Sequence, residues 1–166
     1  MIDQLLKMAD GPLRDLLANS DVPANPGDAS AIEDTLASIL QRKAQSGDLD
    51  ALKEMFSGAD TNPNSPVVNN LAGDVSEGLK SKLGIDGGQA MKIAMAALPM
   101  LMNFFNKKVN DAPQDNSDIM NSVIGALQGG GGSGQADILG SLLGGGKGGG
   151  GMDLGGLMNM GKGLFK

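Results

Sequence analysis

Seventeen of the 27 glycines in this 166-residue chain fall in its last 38 positions. Glycine loses the most backbone freedom on ordering and offers no side chain to bury in return. A packed core must therefore come from the residues before about 110. That is enough for a modest single domain. The expected organisation is a helical domain over 1–109, a linker over 110–116 around Pro113, and a Gly-rich tail over 117–166.

Hydrophobic spacing within the domain is helical throughout, and no alternating strand pattern occurs. Ile2, Leu5, Leu6 and Ala9 share one face of a first short helix, and Pro12 suits the start of a second. Asp21 to Asp28, with two prolines and a glycine, reads as a loop. Ser30-x-x-Glu33 has the form of a capping box ahead of the stripe Ile32, Leu36, Ile39 and Leu40. Asp48 is expected to cap a shorter helix carrying Leu49, Leu52, Met55 and Phe56. Ser65-Pro66 opens a helix running through Val68, Leu71, Ala72, Val75, Leu79 and Leu83, which Gly84 ends in the left-handed conformation. Asp86-x-x-Gln89 opens one more.

That helix, about 89–108, is apolar almost all round from Ala90 to Phe105, with Lys92 and Asn103 the exceptions. A helix lacking a polar face is normally surrounded by others. The fold class is accordingly all-α: a small bundle around this central helix. Its longest apolar run, Ile93 to Met102, is ten residues with Pro99 inside, against about 20 needed to span a bilayer. An acidic residue in Met1-Ile2-Asp3-Gln4 and the lack of a cleavage site argue against a secretory leader, so a cytoplasmic location is expected.

The chemistry available is restricted. There is no Cys and no His, hence no thiolate or imidazole nucleophile and no ordinary zinc, haem or iron–sulfur site. The net charge is −6, with −7 in residues 1–128 and +1 in the tail. An acidic chain whose aromatics are four Phe is poorly suited to nucleic acid. Gly156 to Lys162 has the spacing of a P-loop, but Gly163 stands where Ser or Thr must meet magnesium, and no strand precedes it. Asp48-Leu49-Asp50 with Glu54 lacks the third ligand, the central glycine and the final glutamate of a calcium loop. Catalytic, cofactor and metal residues are therefore expected to be none.

The tail carries a glycine-punctuated repeat. Ser117 to Gly125, Ala136 to Gly144 and a degraded Met152 to Met158 each read as an Asp-capped helical turn or two with one apolar stripe, so that Asp118 is expected to cap the first. No unit can bury its stripe alone. Candidate interaction residues are Ile138, Leu139, Leu142, Leu143, Leu154, Leu157, Met158, Met160, Leu164 and Phe165.

Leu79 to Ala90, followed by Ala96-Ala97-Leu98-Pro99-Met100-Leu101, resembles the YidB-like bacterial family of unknown function, and Asp137 to Gly144 is similar to that family's tail. The resemblance implies a small helical domain and brings no activity or catalytic residues. The expected function is that of a non-enzymatic structural or interaction protein, self-associating or docking another protein through its tail. Two alternatives compete. One is a carrier or sensor of an apolar ligand or lipid along the Met-rich helix (Met91, Met95, Met100, Met102). The other is a membrane-surface module using the cationic, apolar last ten residues.

Overall fold

A computed structural model describes residues 2–19, 21, 24–129 and 140 of the chain. Within them the fold is all-α, a small bundle of seven α-helices with no strand. They are α1 (Ile2–Lys7), α2 (Asp10–Asn19), α3 (Ala29–Ser46), α4 (Asp50–Met55), α5 (Pro66–Leu83), α6 (Gly87–Asp111) and α7 (Asn116–Leu127), with a 3-10 turn at Pro26–Asp28 before α3.

The longest elements begin and end where local chemistry dictates. Ser65 caps α5, its hydroxyl accepting from the Val68 N–H at 3.2 Å with Pro66 at the first helical position. Gly84 closes α5 at φ +65°. Asp86 caps α6, one carboxylate oxygen accepting from the Gly88 and Gln89 N–H groups at 2.8 and 3.0 Å. Only Gly84, Ile85 and Asp86 separate the two helices, so the chain reverses and lays α6 along α5, the most extensive helix pairing in the fold.

Three expected starts are corrected. The α3 helix begins at Ala29 behind Asp28, so Ser30 lies inside the first turn and no capping box forms. Asp28 spends its carboxylate on the Asn25 N–H instead, at 2.8 Å. The α4 helix begins at Asp50, with Leu49 at the cap position; Asp48 pairs with Lys43 through Oδ2 at 2.8 Å and accepts from the Asp50 N–H only at 3.4 Å through Oδ1. The first tail unit starts behind Asp115, which leaves Asp118 within the first turn, where negative charge favours the helix dipole.

All seven helices feed one continuous apolar cluster, with Leu5, Leu13, Leu36, Leu52, Leu98 and Ile119 among its fully buried members. The α6 helix passes unbroken through Pro99, itself buried, and packs on α2, α4, α5 and α7. Its role at the centre is shared with α3, which touches α1, α2, α4, α5 and α7. Met102 is fully buried, and Met95 and Met100 pack half-buried on the core. Among the described residues Met91 is the large apolar side chain that stays exposed, at 38 %. No helix of the described residues is long and apolar enough to cross a membrane.

Candidate functional site

The first of the three tail units is the one the structure places, and it is seated on the bundle. As α7 it lies against α3, α4 and α6, with Ile119, Ser122, Val123 and Leu127 buried and Met120 and Ile124 half-buried. The apolar stripe read from the sequence is thus the face that docks. The stretch expected as linker is shared between the last residues of α6 and the first of α7, leaving Ala112 to Asp115 as the connection.

Polar anchors hold both ends of α7. At its start the Asn116 amide donates to the Ser57 carbonyl at 3.2 Å and to Asn110 Oδ1 at 3.4 Å. Just past its end the Gln128 amide donates to the Ala44 carbonyl at the end of α3, at 3.3 Å. Gly58 makes the first anchor possible. It sits at φ +76°, and a β-carbon there would collide with the side chains of Asn110 and Asn116.

Beneath this seat a polar network joins α6 to the loop after α4. Asn106, 2 % exposed, has a partner for both of its amide hydrogens and for its oxygen. Its nitrogen donates to the Glu54 carbonyl at 3.0 Å and to Thr61 Oγ1 at 3.1 Å. Its oxygen accepts from the Gly58 N–H at 2.9 Å and from the Ser57 hydroxyl at 3.3 Å. Asn103 accepts from the Thr61 N–H at 2.7 Å, and the Asn110 amide donates to the Gly58 carbonyl. A fully satisfied buried network of this kind fixes one geometry for the loop. Sequence reasoning treats Asn103 as an exception, passes over Asn106 and places Asn110 in the linker, whereas α6 runs on to Asp111. The signal was present: 103, 106 and 110 fall on one face of a helix, and three amides on an otherwise apolar element need partners.

Two further clusters carry charge. Lys43 bridges Asp48 and Asp74 at 2.8 and 3.0 Å, over a cleft of about 80 Å³ that Asp50, Val67 and Asn70 also line. Hydrogen bonding to Asp48 holds the Lys43 ammonium above its ordinary pKa, and the same bond holds the Asp48 carboxyl below its own. The cleft admits water and is well under the few hundred Å³ of a small-molecule site. Among the described residues no group of three or more Asp or Glu is placed to hold a metal ion.

The second cluster centres on Glu33, whose side chain points into the packing of α3 against the N-terminal helices. The residue is 6 % exposed, and its Oε1 has no hydrogen-bond partner among the described residues. Burial, followed by the nearby Asp10 carboxylate, pushes its pKa up to about 7. Arg14 and Lys7 oppose that shift, while Asp34 adds to it. Arg14 is engaged by Asp10 at 2.7 Å.

The expected interaction residues Ile138, Leu139, Leu142, Leu143, Leu154, Leu157, Met158, Met160, Leu164 and Phe165 lie outside the described residues, as does the segment with P-loop spacing. Comparison with family models, with curated proteins and with solved structures finds no match to the chain.

Proposed function

We propose that this is a non-enzymatic interaction protein whose tail units dock on helical surfaces, those of a second copy first and of other proteins by the same chemistry. One observation carries the reading. The first unit of the repeat buries its apolar stripe on the bundle. The same kind of stripe recurs at Ile138 to Leu143 and at Leu154 to Met158, and each recurrence needs a surface to leave water. Two of the three polar clusters support a structural protein: Asn106 is internally satisfied, and Lys43 is neutralised by two aspartates. A cytoplasmic setting and kinship with the YidB-like bacterial family belong to the same proposal.

Carriage of an apolar ligand along the methionines of α6 has less behind it, because Met95, Met100 and Met102 pack against the core. Donor- and acceptor-labelled samples of a Ser81→Cys chain, mixed across a concentration series, test the proposal. Energy transfer that rises with concentration and vanishes in the Leu142→Asp, Leu143→Asp variant is the expected result. No transfer at any concentration would remove self-association.

A further inference from the structure

Beyond the docking reading, on which this rests, we infer that the seat of α7 has two ligands in the same chain, and that residues 136–144 take it when α7 is withdrawn. The two units align without a gap, Asp118-Ile-Met-Asn-Ser-Val-Ile-Gly125 on Asp137-Ile-Leu-Gly-Ser-Leu-Leu-Gly144. The positions that α7 buries are the ones the second unit keeps. Ile119 and Ser122 recur as Ile138 and Ser141, and Val123 becomes Leu142. The exposed Asn121 is where the second unit changes most, to Gly140, which is itself helical and exposed. Apolar composition alone would not single out the small polar residue at the second buried position; a shared seat does.

The chain is long enough for the exchange. Residues 116–135 would form the loop; because the two units run in the same direction its ends meet at the start of the seat, and closing a loop of that length adds little entropic cost over a shorter one. Tethering gives the second unit an effective concentration in the millimolar range, so it outcompetes the same unit of a dilute second copy. It is the weaker ligand. Gly146 stands where α7 buries Leu127, and Gly140 lowers its helix propensity by about 1 kcal/mol relative to Ala. Hence α7 holds the seat by default, and a partner that draws α7 away does not leave the core bare. Release of α7 is made cheaper by the cover that replaces it.

The absence of native cysteine allows a direct test. A Ser141→Cys chain is labelled with a thiol reagent under dilute conditions, with α7 intact and with α7 made polar by Ile119→Ser and Val123→Ser. Exchange predicts that labelling slows at least tenfold when α7 is made polar, and that adding Ile138→Ser restores the fast rate. An unchanged rate overturns the inference. So does a loss of helical circular dichroism signal well beyond the 12 residues of α7, because the second unit would then have failed to cover the seat and the bundle would have opened. The milder Val123→Ala chain, in which α7 stays helical, should still slow labelling at least twofold, and no slowing there also counts against exchange. The readout is intramolecular, so it stands or falls separately from self-association, which light scattering on the same samples reports.

Discussion

Gly78 of α5 and Thr35 of α3 meet so closely that a β-carbon on the glycine would overlap the Thr35 methyl group. The two helices approach through this notch, with Thr35 3 % exposed and its hydroxyl without a hydrogen-bond partner among the described residues. Gly78→Ala should therefore cost about 1–3 kcal/mol in urea unfolding, as overpacking does. Adding Thr35→Ser, which removes the methyl, should recover part of that loss. Gly73→Ala, on the same helix with open space around it, should instead stabilise by about 0.5–1 kcal/mol. Equal effects at 73 and 78 would contradict the close approach.

Glu33 makes stability depend on pH in a definite direction. Its pKa rises from 4.5 in the unfolded chain to about 7 in the folded one, so the folded state holds the extra proton between those values. Stability must then fall as pH rises from about 4.5 to 7 and level off above. Glu33→Gln should remove this slope, leaving the variant ahead of the native chain at pH 8 by on the order of 2 kcal/mol. Asp48 acts oppositely. Its lowered pKa contributes stability that is present above its ordinary value and lost in stronger acid. Urea midpoints of the two chains from pH 4 to 8 decide this, and parallel curves would refute it.

Asn106→Ala should cost about 2–4 kcal/mol, because it strands the Gly58 N–H and Thr61 Oγ1 and leaves the Glu54 carbonyl with the Ser57 hydroxyl alone of its two side-chain donors. Hydrogen exchange should report the same loss locally, with the amides of 57–61 and of α7 losing protection before those of α5. Uniform loss across all helices would mean that the network does not anchor the seat.

Caps separate the two kinds of helix start. Ser65→Ala and Asp86→Ala should each cost about 1 kcal/mol, since each removes an acceptor for orphan N–H groups. Ser30→Ala should cost close to nothing, because Ser30 lies inside α3 and caps nothing. Thermal unfolding of the three variants checks the contrast.

These contrasts show which features local sequence carries. The caps at Ser65 and Asp86 and the left-handed stop at Gly84 were legible, because each is decided by a few adjacent residues and the backbone geometry they favour. The apolar run of α6 announced its own burial. Glu33 was misread: capping boxes and buried carboxylates look alike until the neighbouring helices are placed, and its surroundings come from α1 and α2, some twenty residues upstream. The role of Asn106 was hidden for the same reason, since its partners lie 45 to 52 residues away. The tail repeat was legible as a pattern; that its first copy is part of the bundle became visible only with α3, α4 and α6 in place.

The central claim is that the tail units dock the protein on a second copy, and the mass of the full chain in solution tests it most directly. Multi-angle light scattering across a concentration series should give a mass that climbs above the 16.8 kDa of one chain. The variant carrying Leu142→Asp, Leu143→Asp, Leu157→Asp and Phe165→Asp should stay at the single-chain mass throughout. Identical masses for the two proteins at every concentration would contradict the account.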